Sequence, residues 1–390
     1  MLKDSTAAIH GHDHVDQYGS IVPPIYPSVV YEYIDFERGL ATTTDRGTVL
    51  KYGREENPTV RALERVVAKL ERSEDALAFN SGMSAIATVF LWHLSPGAKV
   101  VIPLEVYSTT LHLLTTLAQR VGAKVVKVWP SAESIVEAID SNTTMVFFEV
   151  MTNPTNKVID LEYLYKHVDV EKIVLVADNT FTTPLLVKPI KYGARLIVHS
   201  ATKYLAGHND VLGGVVAGCK RLISELWEWR RMLGGLLQPF EAYLTLRGIK
   251  TLEVRFEKQC RNAKAIAEFL AEHSKIEEVM CPGISKSPYH DIAKRLFEKP
   301  LFGGVVSFKV KGGYEEALRF IKRLKIVKRC PSLGGVESMA SLPAKSAAMF
   351  IEPEHRSRLG ITDNLVRLSV GLEDVEDLIE DISQALSASP

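Results

Sequence analysis

Short apolar runs alternate with longer amphipathic stretches along most of the chain. The runs "ALAF" (76–79), "KVVIP" (99–103), "MVFFEV" (145–150), "KIVLVAD" (172–178) and "RLIVHS" (195–200) have the length of strands and are apolar on both faces. Such strands belong in a mostly parallel sheet covered by helices on each side. "NPTVRALERVVAKLE" predicts a helix with Asn57 as N-cap, Pro58 at the first position, and Val60, Leu63, Val67 and Leu70 on one face. "TLEVRFEKQCRNAKAIAEFLAEH" predicts a long amphipathic helix. Beyond it come strand candidates "GVVSFKV" and "LVRLSVG" and helices near 313–324 and 373–386. The pattern therefore predicts an α/β protein in three parts: an arm over 1–55, a large domain over 56–250 and a smaller α+β domain over 251–390. The arm holds Pro23, Pro24, Pro27 and the hydroxyl-rich "ATTTDRGT" with no sustained period. It reads as extended chain that packs on something else, such as a second subunit.

Composition narrows the function. Lysine plus arginine equals aspartate plus glutamate, 47 each in 390 residues, so no net field favours nucleic acid or an anionic membrane. Cys219, Cys260, Cys281 and Cys330 form no CxxC pair and read as buried reduced thiols in a cytoplasmic protein. The start "MLKDSTAAIHGHDH" has no apolar core of a leader, and no later run reaches membrane-spanning length. A soluble, intracellular protein is expected. No GxGxxG, Walker-A or HExxH pattern is present, which argues against dinucleotide, nucleoside triphosphate and zinc-hydrolase chemistry. His10, His12 and His14 are dense enough for a metal, but they lie in the arm, and no metal site is expected.

Candidate chemistry collects at the carboxyl ends of the predicted strands, where open α/β sheets bind ligands. "MVFFEV" runs into Asn153, "KIVLVAD" ends at Asp178, and "RLIVHS" ends in "HSATKYLAGHND" with Lys203. By itself Asp178 reads as well as a turn former or helix cap, and Lys203 as a solvated loop residue. Together they suit a carbonyl cofactor held on a lysine amine, with an anion at its pyridinium nitrogen. That is the chemistry of pyridoxal 5'-phosphate (PLP). Its phosphate needs a cradle, for which Ser81-Gly82-Met83 at a helix start is a candidate, with Ser200 and Thr202 as hydroxyl donors; an ordinary capped helix start is the alternative. Tyr107, after "KVVIP", could stack on a ring and move a proton, or could simply pack at a loop base. Arg367 in "RLSVGLE" is a candidate fork for a substrate carboxylate, against the ordinary role of a solvated surface arginine.

In order, "YGREENPT", "SGM", "NPTNKVIDL", "DNTFTTP", "HSATKYLAGH", "SLGGVES" and "RLSVGLE" resemble the signature segments of the Cys/Met-metabolism family of PLP enzymes, from about residue 20 to the end. The resemblance implies an aspartate-aminotransferase-like fold (fold type I) and a cytoplasmic homotetramer of two tight dimers with active sites shared across the dimer interface. It implies that Lys203 binds the cofactor, Asp178 pairs with its ring nitrogen, and Tyr107 stacks on the ring. Gly82, Met83, Ser200 and Thr202 would hold the phosphate, joined by Tyr52 and Arg54 of the neighbouring subunit. Asn153, Ser332 and Arg367 would position the substrate's α-carboxylate and the cofactor edge. It further implies γ-elimination or γ-replacement on a sulfur amino acid, of the cystathionine γ-synthase or γ-lyase type. Leu333 stands where β-lyases carry tryptophan, and Glu337 resembles an acid that meets a distal amino group in γ-synthases and γ-lyases. Thr109 replaces the cysteine of dedicated methionine γ-lyases. Ser108-Thr109 and "PAKSAAMF" at 343–350 depart from the family pattern near the substrate. Cystathionine β-lyase, methionine γ-lyase and O-acetylhomoserine sulfhydrylase activities are the enzymatic alternatives, and a non-catalytic PLP-binding protein is the alternative of another class.

Overall fold

The structure, a computed structural model, describes residues 2–13, 17–37 and 42–387. His14, the third histidine of the arm, lies outside them. The strands are β1 (Asp75–Phe79), β2 (Lys99–Pro103), β3 (Lys124–Val128), β4 (Thr143–Glu149), β5 (Val174–Asp178) and β6 (Leu196–Ser200). After these come β7 (Gly214–Gly218), β8 (Ile276–Met280), β9 (Val305–Val310), β10 (Lys328–Arg329), β11 (Met339–Ser341) and β12 (Leu365–Ser369). The chain divides into two compact units, neither continuous in sequence: 1–93 with 195–252, and 94–194 with 253–390.

In the first unit β7 lies between β1 and β6, antiparallel to both. β7, "GVVAG", is missed by the pattern because glycines at both ends weaken its strand signal. The helix Pro58–Glu71 starts as its sequence predicts, with the Asn57 side chain accepting from the N–H of Thr59 at 2.9 Å and of Val60 at 3.3 Å. Val60, Leu63, Val67 and Leu70 are buried, and so, against expectation, are Arg61, Glu64 and Glu71. The arm contributes to this burial. Thr59 Oγ1 donates to Pro24 O and accepts from Tyr26 N, while Asp4–His10 is a short helix.

Three guanidiniums meet at Glu64 of this helix, those of Arg46 and Arg230 from other parts of the unit and that of Arg61 from the helix itself. Glu64 accepts from Arg46 at 2.8 Å, Arg230 at 2.6 Å and Arg61 at 3.3 Å, and its Oε1 also accepts the N–H of Ala78 in β1. Arg46 reaches Glu56 and Asp75 as well, and Arg61 reaches Asp45 and Asp75. Burial opposes ionisation of Glu64, but Arg46, Arg230 and Arg61 outweigh it and hold the carboxyl down to about 2. A second buried contact, 2.5 Å, joins Glu71 Oε1 and His199 Nε2 of β6.

The second unit carries four parallel strands in the order β5, β4, β2, β3, of which β5, β4 and β2 are expected from the sequence. β3, "KVVKV", was not predicted, because its lysine-flanked face is partly exposed rather than covered. A separate sheet of the same unit runs β10, β11, β12, β9, β8 and is antiparallel except for β10 with β11. Against it pack the predicted long helix, Leu252–Glu272, and the helices Gly313–Arg323 and Val375–Ser387. Ala263, Ile266, Phe308, Phe320, Leu378 and Ile382 are central to this core. Cys260 and Cys281 are buried here as free thiols whose pKa burial pushes up, that of Cys281 to about 11, whereas Cys219 and Cys330 are only partly buried. No helix among the described residues is long and apolar enough to cross a membrane.

Removing one partner of a buried ion cluster leaves charges stranded without water. Glu64→Gln is expected to destabilise the protein by about 3–5 kcal/mol at pH 7. The folded pKa of Glu64, about 2, lies below the usual 4.5, so its contribution is complete above pH 4.5 and disappears as pH falls toward 2. Urea unfolding of both proteins from pH 7 to pH 2 should show the gap narrowing across that window.

Candidate active site

Lys203 and the predicted phosphate cradle lie at the end of β6. Ser200 and Phe79, the last residues of β6 and β1, both lie opposite Gly214 in the ladder. From β1 the chain turns through Ser81 into the helix Gly82–His93, whose first turn is capped by Ser81 Oγ accepting from Ser84 N at 3.1 Å. A Cβ on Gly82 would lie 3.0 Å from Ser200 Cβ and 3.1 Å from its Oγ, and one on Gly214 would lie 2.3 Å from Ser81 O. Two missing side chains thus let a helix N-terminus rest against the strand end. The first-turn N–H groups of a helix have no partner within it and carry partial positive charge, so this is a place for an anion.

Gly82, Met83 and Ser200 are brought together in this way. Thr202 follows, its Oγ1 accepting from Gly213 N at 3.0 Å. Lys203 is half-buried in the turn beyond β6, with its N–H donating to Ser200 O and its carbonyl accepting from Gly207 N. Tyr52 and Arg54 lie elsewhere in the same unit. The Arg54 guanidinium stands 5.4 Å from the Tyr52 ring centroid and donates to Arg231 O. Both line a cavity of about 230 Å³ with Ser28, Asn57, Gly234 and Gln238, and its lining includes neither Gly82, Ser200 nor Lys203.

The second unit carries the remaining residues at the ends of its parallel strands. Asp178 closes β5 and is half-buried, with Oδ1 accepting from Thr180 N at 2.9 Å. Tyr107 is the N-cap of the helix Ser108–Val121 and is 41% exposed. Arg367 sits in the middle of β12 between β11 and β9 and is 2% exposed. Its Nη1 donates to Asn153 Oδ1 at 2.9 Å, and its Nη2 to the carbonyls of Pro331 at 2.6 Å and Ser332 at 3.0 Å. Asn153, Ser332 and Arg367 therefore come together, as expected, with the guanidinium plane fixed by three acceptors. Leu333 is buried next to them and Glu337 is exposed.

Two acids escaped the sequence reading. Glu149, the last residue of β4, pairs in register with Asp178, accepting from Tyr107 N at 2.6 Å through Oε1 and from Asn153 N at 3.1 Å through Oε2. Burial first, then the charge of Asp178, with a further push from Glu105, raises its pKa well above the usual carboxylate range, although both N–H groups oppose the shift. Glu105 is fully buried, accepting from Thr152 Oγ1 at 2.9 Å, Thr155 N at 3.0 Å and Lys157 Nζ at 2.6 Å. The only signal in the sequence was an acid at the end of an apolar run, "MVFFE" and "VIPLE".

A phosphorylated aldehyde with a protonatable ring asks for a nucleophilic amine, an anion cradle that side chains leave open, an anionic ring partner and a flat aromatic face. The Gly82–Ser200 approach supplies a cradle that any Cβ would obstruct. Lys203, Asp178 and Tyr107 are of the types the other requirements name, and the residues present fit PLP.

Comparison with known proteins agrees. The family described as Cys/Met metabolism PLP-dependent enzyme matches residues 5–387. The chain is 38% identical to L-methionine gamma-lyase of Pseudomonas putida over 389 residues, 99% of this chain and 97% of the relative. It is 40% identical to cystathionine gamma-lyase of Bacillus subtilis over 388 residues, 99% of each. The crystal structure of cystathionine gamma synthase from Xanthomonas oryzae pv. oryzae, in complex with aminoacrylate and cysteine, superposes with a TM-score of 0.92 at 34% identity, covering 99% of this chain and 98% of that one. The expected α/β fold of this family is therefore present, and the chain belongs to the PLP-dependent enzymes of cysteine and methionine metabolism.

Proposed function

We propose that the protein acts at the γ-carbon of a sulfur amino acid, by elimination or replacement, with L-cystathionine as substrate or product. The observation that carries the choice of carbon is Leu333, buried beside the Ser332 carbonyl that orients Arg367. An aliphatic side chain there fits the γ-acting members, and Glu337 four residues on supplies an acid for a distal amino group. The first relatives above are named for methionine and for cystathionine, so methionine is the second substrate to test.

Lys203 would hold the cofactor aldehyde, Asp178 the ring nitrogen, Tyr107 the ring face, and Gly82, Met83, Ser200 and Thr202 the phosphate. Tyr52 and Arg54, which line a cavity of their own, would serve the phosphate of a neighbouring subunit. When bound, PLP supplies a sink for the electrons left at the substrate's α-carbon. The chain's own residues do the rest. Arg367, locked by Asn153, Pro331 and Ser332, takes the α-carboxylate with Asn153 and Ser332 beside it. With PLP bound, Lys203 Nζ would accept the α-proton and carry it onward, and Tyr107 Oη would serve proton transfer at the departing γ-group.

The arm leaves Tyr18, Ile21, Ile34 and Phe36 largely exposed, which supports a second copy of the chain covering it. A homotetramer in the cytoplasm, with an arm over 1–55 and domains over 56–250 and 251–390, completes the proposal.

Purified holoprotein given L-cystathionine is expected to release 2-oxobutanoate; pyruvate alone would move the reaction to the β-carbon. L-Methionine in its place tests the second substrate, through the methanethiol released. Neither keto acid from either substrate, nor cystathionine from an activated homoserine ester and cysteine, would sink the γ reading. Lys203→Ala is expected to lose the cofactor's yellow absorbance and about 10³-fold or more in rate. Arg367→Lys, which keeps the charge and loses the fork, should raise KM about 100-fold with the colour retained.

A further inference from the structure

We propose that Glu149 is a positioning residue whose one buried carboxyl places the ring-facing Tyr107 and the carboxylate-binding pair Asn153 and Arg367 together. This rests on the roles assigned above to those residues. Its support is geometric. Tyr107 and Asn153 stand 46 positions apart in the chain, yet the two oxygens of Glu149 accept one backbone N–H from each, at 2.6 and 3.1 Å. Asn153 Oδ1 then accepts Arg367 Nη1 at 2.9 Å, so the carboxyl is two hydrogen bonds from the guanidinium. In the strand register Glu149 is also the neighbour of Asp178.

The far side of the Asn153 loop is held by a second acid. Glu105 takes Thr152, Thr155 and Lys157, and Lys157 Nζ reaches the carbonyl of Leu359 at 2.9 Å. Asn156 in the same loop donates to the carbonyls of Met280 and Val305. Glu105 and Asn156 anchor the loop as a whole, and Glu149 adds the direct tie between the backbone N–H of Asn153 and that of Tyr107.

Glutamine at 149 keeps the shape but can accept only at its oxygen, so its amide nitrogen faces one of the two backbone N–H groups. A buried donor left opposite a donor is costly. Glu149→Gln is therefore expected to fold, to bind PLP about tenfold more weakly when apoprotein is titrated with cofactor, and to raise KM for L-cystathionine about tenfold. Because the KM effect runs through Asn153 to Arg367, it should shrink below about twofold in an Arg367→Lys background. Apoprotein Tm separates positioning from folding. An unchanged cofactor affinity and KM in the variant, or KM effects that multiply independently in the double variant, would overturn the proposal. So would failure of both Glu149→Gln and Glu149→Ala to fold as apoprotein, since that makes the residue a folding element. A wild-type protein that takes up no cofactor overturns the functional reading itself, and this inference with it.

Discussion

A carboxylate carried into a protein interior loses its hydration, and only donors and cations drawn from elsewhere in the chain can replace it. Glu64 is where the first unit meets that demand. Its partners come from the arm, from its own helix, from β1 and from the helix Lys220–Leu233 that contains Arg230. The arm, β1 and a helix 166 positions away are thereby tied to one side chain of this helix. The helix they join is also the one that Asn57 caps and that Tyr26 and Pro24 of the arm contact. Polar contacts from this helix thus hold much of the arm, alongside the buried Ala7, Ala8 and Leu50.

The second unit answers the same demand at its strand ends. Glu105, Glu149 and Asp178 follow or end β2, β4 and β5, so three acids gather where parallel strands stop. Their mutual repulsion is offset in different ways. Lys157 neutralises Glu105, backbone N–H groups surround Glu149, and burial with the charge of Asp178 disfavours ionisation of Glu149. One carboxyl thus holds two backbone donors beside Asp178. Tyr107, Asn153 and Thr155 lie in loops or at helix starts, and these buried acceptors hold their backbone N–H groups.

Family membership and reaction belong to different parts of this structure. The helix start proposed to hold the cofactor phosphate depends on two glycines: a Cβ on Gly214 would collide with Ser81 O at 2.3 Å, and one on Gly82 would crowd Ser200 at 3.0 Å. Relatives that share this framework carry the names of different enzymes. The choice of substrate proposed above rests instead on the side chains of Leu333, Glu337 and Thr109.

Periodicity and punctuation determined much by themselves. Apolar runs placed β1, β2, β4, β5, β6, β9 and β12 because covered strands must be apolar on both faces, and Asn57-Pro58 marked a helix start because only the cap geometry suits both residues. Seven ordered motifs carried the family. Local pattern could not reveal β7 with its terminal glycines or β3 with its lysines, since their strand character comes from the neighbours they pair with. Nor could it distinguish Glu64, Glu105 and Glu149 from the many acids that face water. The partners that make their burial tolerable lie up to 166 positions away, as Arg230 does from Glu64, and only the folded chain brings those charges and donors within hydrogen-bonding distance.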